Sequence, residues 1–178
     1  MAKRTDIRRF QEALAQKLAA AQQRSEGIAA RWLGVMIGSQ PVLLPLAATA
    51  GVIQEFTLTS VPFAPAHFAG VTNVRGELHD VIDLAPLLTE AASAPSSSAR
   101  LVVLQPARTP RTALLVARVV GLRREESLAH RLAAPEASGI IARWREAGPN
   151  PIEWLEIDLA FWLKRAALLF QPAAELQP

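Results

Sequence analysis

Residues 61–88 read Val-Pro-Phe-Ala-Pro-Ala-His-Phe-Ala-Gly-Val-Thr-Asn-Val-Arg-Gly-Glu-Leu-His-Asp-Val-Ile-Asp-Leu-Ala-Pro-Leu-Leu. Two apolar runs, Val71 to Val74 and Leu78 to Ile82, flank Arg75-Gly76-Glu77. That spacing predicts a β-hairpin, because Gly76 can take the positive φ that tight hairpin turns require. Arg75 then stands at a strand end, where its planar five-donor fork can bind backbone carbonyls or carboxylates. Two roles are open to it: tying down a neighbouring loop, or meeting a partner. Asp83 precedes Leu84 to Leu88, a predicted short helix. Aspartate suits the cap position, and Pro86 falls in the first turn, where its missing N–H costs little.

Outward from this stretch the same grammar continues. Short apolar runs at Trp32 to Ile37, Val42 to Leu46 and Val52 to Phe56 have strand length, and residues 38–41 read as a turn. Residues 90–98, Glu-Ala-Ala-Ser-Ala-Pro-Ser-Ser-Ser, form a small-residue polar segment between two halves. Strands are predicted again at Arg100 to Gln105 and Thr112 to Leu122, with Thr109 and Pro110 in the turn between them. Two more are predicted at Ile140 to Arg145 and Ile152 to Ile157, joined by Gly148-Pro149-Asn150-Pro151. Leu159 to Phe170 reads as a helix with Leu159, Trp162, Leu163 and Ala166 on one side. Both halves contain several short strands and end in a helix, without a sequence repeat that aligns.

The first residues differ. Ile7, Phe10, Leu14 and Leu18 recur at helical steps, predicting a helix over residues 4–25 that Gly27 ends. Residues 1–31 hold seven Lys/Arg against three Asp/Glu, whereas the rest of the chain holds twelve against thirteen. The sequence pI near 10.2 therefore reflects a basic leader on a nearly neutral body. A nucleic-acid-binding barrel usually carries its basic face on the barrel itself.

The 178 residues contain no cysteine, which excludes disulfides, thiolate metal sites and cysteine nucleophiles. No apolar run reaches the length of a membrane span, and charged and polar residues interrupt the leader where a signal peptide needs an apolar block. The expected location is cytoplasmic. His67, His79 and His130 do not stand at metal-ligand spacing. No nucleophile-elbow or phosphate-loop motif occurs. Catalytic, cofactor-binding and metal-binding residues are accordingly expected to be none.

In its order of residues the 61–88 stretch resembles the central signature of the CheW family of coupling proteins. Pro62, Gly70, Asn73, Arg75, Gly76, Val81, Ile82, Asp83 and Leu84 match that signature in fixed order. Trp32 to Ile37, Pro41 to Pro45 and Gly51 to Glu55 look like the family's opening strands, and Leu114 to Leu122 like its second-barrel hairpin. The resemblance covers roughly residues 30–170. Asp80 departs from it where the family has proline or an apolar residue, and Ala117 where it often has aspartate. The basic leader, with Trp154 and Trp162 near the end, is similar to the pilus-linked PilI branch.

The resemblance implies an all-β fold of two SH3-like five-stranded barrels, with an N-terminal and a C-terminal helix. The expected organisation is a helical leader at 1–27 and a CheW-like domain at 28–170, followed by a tail at 171–178. Within the domain the first barrel spans about 31–88, a linker 89–99, and the second barrel about 100–158 plus the C-terminal helix. It also implies a non-enzymatic adaptor that joins a methyl-accepting chemoreceptor's cytoplasmic tip to the regulatory domain of a CheA-type histidine kinase. Such an adaptor serves chemotaxis or type IV pilus twitching motility, and receptor arrays hold it at the inner face of the membrane. It binds no nucleic acid and does not insert in the membrane. Receptor contacts are expected at Asn73, Arg75 and Gly76, and kinase contacts at Val42, Leu43 and Val52. Gly70 and Asp83 are expected to be turn and cap residues. The rival reading is an SH3-like or OB-like barrel that binds nucleic acid, which calls for aromatic stacking residues on a basic sheet.

Overall fold

The computed structural model describes residues 30–89, 96–107, 109–135 and 138–169. The predicted leader helix, most of the small-residue linker and the tail lie outside the described residues. The chain divides after Ala30, and every strand and helix named below belongs to the second unit.

Eleven strands make two sheets. They are β1 (Trp32–Ile37), β2 (Gln40–Pro45), β3 (Thr49–Ile53), β4 (Phe68–Val74), β5 (Glu77–Asp83), β6 (Arg100–Leu104), β7 (Thr112–Val116), β8 (Arg118–Arg123), β9 (Leu128–Ala133), β10 (Ile140–Glu146) and β11 (Glu153–Ile157). Helix α1 (Ala85–Leu88) follows β5 and helix α2 (Leu159–Leu169) follows β11. Sheet A has the order β8-β1-β2-β11-β10-β9, and sheet B the order β3-β6-β7-β5-β4. The all-β, two-sheet class expected from the sequence is what the chain adopts, with six strands in one sheet and five in the other. The sixth is β9, an exposed strand after a charged run, whose Leu-Ala-His-Arg-Leu-Ala sequence lacks the β-branched residues that mark strands.

The strands are not shared out by halves of the chain. Sheet A takes β1 and β2 from the start and β8 to β11 from the end, while sheet B takes everything between. The consecutive barrels expected at 31–88 and 100–158 are therefore corrected to interleaved sheets. The physical cause lies at two crossovers. A short 3-10 turn at Leu46–Ala48 carries β2 into β3 of the other sheet. The run expected as one strand from Thr112 to Leu122 breaks at Ala117, whose N–H donates to Met36 O on β1 at 2.8 Å. Hydrogen bonding there passes from sheet B to sheet A.

The two sheets repeat one plan. β8, β1, β2, β11 and β10 correspond in order to β3, β6, β7, β5 and β4, and each series pairs antiparallel, antiparallel, parallel, antiparallel. At the corresponding end of β5 and β11 stands the same tetrapeptide, Ile82-Asp83-Leu84-Ala85 and Ile157-Asp158-Leu159-Ala160. Each aspartate carboxylate accepts a backbone N–H at the start of the helix that follows: Asp83 Oδ1 accepts the Ala85 N–H at 2.9 Å and Asp158 Oδ1 the Phe161 N–H at 3.1 Å. Leu84 and Leu159 both pack in the core between the sheets. A repeat thus does align, over four residues, once the strand order shows where to look.

Period-two alternation explains the core. On β1, Leu33, Val35 and Ile37 face the shared core, as Val42 and Leu44 do on β2 and Val102 and Leu104 on β6. The intervening residues fill each sheet's own interior: Trp32 and Leu43 join Trp144 and Trp154 in sheet A, and Leu101 joins Val81 and Ala113 in sheet B. The four tryptophans are buried, and each indole N–H has an acceptor. Glu156 accepts from Trp32 and Trp144, Glu146 from Trp154, and the Gly139 carbonyl from Trp162. Trp154 and Trp162, which suggested the pilus-linked branch, therefore have packing roles.

Candidate functional site

β4 and β5 pair in register from Phe68↔Ile82 to Val74↔Glu77, which leaves Arg75-Gly76 as a two-residue turn. Arg75 has φ +54° and Gly76 φ +91°. Both central residues are left-handed, the condition for the turn whose twist matches the flanking strands. Asn73 Oδ1 accepts the Gly76 N–H at 2.8 Å and closes the turn. Val74 is buried behind it, and Thr72 Oγ1 donates to Thr57 O at 2.7 Å, fixing the hairpin to the preceding segment. Arg75 itself is exposed and makes no hydrogen bond or ion pair with a described residue. Of the two roles open to it, loop-tying finds no partner group among the described residues. The structure brings Asn73, Arg75 and Gly76 together on a rigid tip. Beside them, Leu78 is 60% exposed on the rim of a groove of about 520 Å³ that Glu55, Phe56 and Val71 also line. The sequence pattern alone gave Leu78 no site role. Its place in the alternation, next to a turn and across from exposed Asn73, is the signal that would have found it.

The other expected contacts separate. Val42 and Leu43 are fully buried on β2, between β1 and β11 in the middle of sheet A. One side of β2 faces the shared core and the other the tryptophan cluster, so neither side chain reaches a partner. This corrects their expected surface role: a continuous Val-Leu-Leu run marks a strand covered on both faces. Val52 is different. It lies on β3, an edge strand of sheet B, and is 41% exposed.

Gly70 has φ +134° at a bulge in β4, and an added Cβ would stand 2.3 Å from Thr59 O. The Thr59–Val71 bridge lays residues 57–59 along the β4 edge at that point, and only glycine admits so close an approach. Asp83 is buried one residue outside the cap position, which Leu84 occupies. Asp80 is exposed, and its N–H donates to Arg111 O at 2.8 Å. His67 is buried, and its Nε2 donates to the Ala166 carbonyl of α2 at 2.9 Å, so it latches the last helix onto sheet B. His79 is buried on β5 and His130 exposed on β9. Among the described residues no three His, Cys, Asp or Glu side chains converge as a metal site, and no helix is long and apolar enough to cross a membrane.

In fold class the body is a two-sheet β module. It is similar to the crystal structure of scaffolding protein TtCheW from Thermoanaerobacter tengcongensis, with a TM-score of 0.58 at 18% identity over 75% of this chain and 92% of that one. A family model for the CheW-like domain matches residues 31–143, and the chain belongs to that family. The family comprises non-enzymatic scaffold proteins of chemotaxis signalling. No curated protein matches the chain.

Proposed function

We propose that this chain is a coupling adaptor that holds a CheA-type kinase and a chemoreceptor tip in one complex, so that receptor state biases kinase activity. The observation that carries the reading is the Asn73–Gly76 tip: a guanidinium displayed on a backbone too constrained to withdraw it, with no described partner in its own chain. The tip is the receptor-facing element, with Leu78 as its apolar companion. Val52 on the β3 edge is the kinase-facing element, because an edge strand offers unpaired backbone groups beside an exposed apolar side chain. The adaptor works in the cytoplasm against the inner face of the membrane, in chemotaxis or pilus-driven twitching.

The nucleic-acid reading calls for aromatic faces on a basic surface, whereas the tryptophans of this chain are enclosed and the exposed Phe63 stands in a stretch, residues 56–74, without Lys or Arg. A pull-down with the full chain separates the two readings. The adaptor retains the kinase regulatory domain and the receptor tip. Retention of nucleic acid with neither protein overturns the proposal.

A further inference from the structure

Asp80 carries a charge that the proposed function leaves unused. Its exposed side chain makes no hydrogen bond or ion pair with a described residue, although its backbone is fixed between Val71 on β4 and Thr112 on β7. On β5 it alternates with Leu78 and Ile82, so these three share one face, and buried His79, Val81 and Asp83 share the other. Leu78, beside the Arg75 tip, and Asp80 are therefore about 7 Å apart on one surface, at about 3.3 Å per residue.

Asp80 also lines a cavity of about 430 Å³ between this face and α2. Phe68 and Ile82 from sheet B and Leu163, Ala166 and Ala167 from α2 supply its apolar wall. The polar part is Asp80 with the hydroxyls of Thr109 and Thr112, and Thr112 is the register partner of Asp80. Thr112 Oγ1 donates to Pro110 O, which leaves its oxygen free to accept. His67 lines the cavity too, with Nε2 committed to the Ala166 carbonyl. No Lys or Arg is among the described residues that line it. Lys164 lines the neighbouring cavity along α2, and the Arg165 guanidinium stands 5.8 Å from the Trp162 ring centroid. An unpaired carboxylate, accepting hydroxyls and an apolar wall together match a side chain with an apolar stem and a cationic head.

We infer that this cavity receives a lysine or arginine side chain of the receptor segment that docks at the Arg75 tip; the inference rests on the receptor-facing reading of that tip. The stem packs on Ile82 and Leu163, and the cationic head donates to the Asp80 carboxylate. An ion pair open to water is worth little, but one flanked by apolar walls is screened less. The segment meets a guanidinium at Arg75 and a carboxylate at Asp80. An acidic and a basic group in that order along it therefore fix its direction over β5, and the reversed order is repelled at both ends.

The probe is N-acetyl-arginine methylamide, titrated into the isotopically labelled full chain and followed by amide chemical shifts, with N-acetyl-leucine methylamide as the apolar control. The arginine compound should give saturable shifts at the amides of Asp80, Thr112 and Leu163, with a Kd of about 1 mM. The leucine compound should bind at least about tenfold more weakly. Asp80→Asn, matched in size, should keep the parent's melting temperature and lose at least about tenfold in affinity for the arginine compound. Ala167→Trp, at an exposed position of α2, should fill the cavity and lose as much. In pull-downs Asp80→Asn should retain the kinase regulatory domain as the parent does and retain less of the receptor tip. No saturable shift at those amides, or parental affinity in either folded variant, overturns the cationic pocket. Undiminished retention of the receptor tip by Asp80→Asn overturns the receptor as the source of the side chain and leaves the coupling role standing. A parent that binds the arginine compound but does not retain the receptor tip overturns the coupling role, and the receptor source with it.

Discussion

Arg75 combines a left-handed backbone with a side chain that makes no hydrogen bond or ion pair with a described residue. Truncating this exposed side chain therefore removes no hydrogen bond or ion pair to a described residue, and Arg75→Ala and Arg75→Lys should each shift stability by less than about 0.5 kcal/mol. Partner control should respond differently. An interfacial charge whose partner stays buried is costly to lose, roughly 2–5 kcal/mol, and lysine does not restore a two-pronged contact. Both variants should weaken receptor-dependent control of the kinase and leave binding to the isolated kinase domain intact. Parallel loss of stability and of both partners would instead show a structural residue, and unchanged binding of both would remove Arg75 from the interface. Val52 and Leu43 form a second contrast. Leu43→Ala empties a site between the tryptophans and should cost about 2–5 kcal/mol. Val52→Ala, on the exposed edge, should cost under about 1 kcal/mol while reducing kinase affinity. Denaturant midpoints beside kinase titrations would check both. Arg75 was legible in the sequence because turn chemistry is local. What buries Val42 and Leu43 was not: the unbroken Val-Leu-Leu run marks a strand covered on both faces, but the elements that cover them come from distant parts of the chain.

At the scale of elements, the β4–β5 hairpin is specified by its own residues, from the Asn73 side-chain bond to the paired register. Its approach is specified from a distance. Gly70 admits the Thr59 carbonyl at a spacing that no side chain allows. Gly70→Ala combines a positive φ with a backbone clash and should cost more than about 2 kcal/mol. Lowered thermal stability, with faster amide exchange at Thr59 and Val71, is the expected reading. Unchanged exchange at those two amides would mean that the 57–59 segment does not depend on the close approach. β9 shows the opposite limit: with only Leu128 buried, it carries almost no apolar pattern, and its pairing with β10 had no local signal.

For the whole molecule, the interleaved strand order has a consequence for folding. β1 and β2 find their other neighbours, β8 and β11, only in the second half of the chain, and β5 finds β7 there. Neither residues 31–89 nor residues 96–169 can complete a sheet alone. Each fragment should give the circular dichroism and proteolytic sensitivity of an unfolded chain, whereas the full chain should unfold in one cooperative transition. A folded, protease-resistant 31–89 fragment would contradict this and restore the consecutive-barrel organisation.

The sequence by itself determined what neighbours along the chain decide: strand-length apolar runs, the Arg75-Gly76 turn, the concluding helix, and the family through its fixed-order signature. Period-two patterning and turn stereochemistry act over a few residues, so they can be read there. Only the tertiary structure decided which strands share a sheet, since a crossover at Ala117 or Leu46–Ala48 is made by bonds to residues far away. It also decided which apolar side chains were left outside. Val42, Val52 and Phe63 are all apolar residues in the sequence. The first is enclosed by two packed faces, the second half-open on a sheet edge, and the third held in solvent by a strained turn.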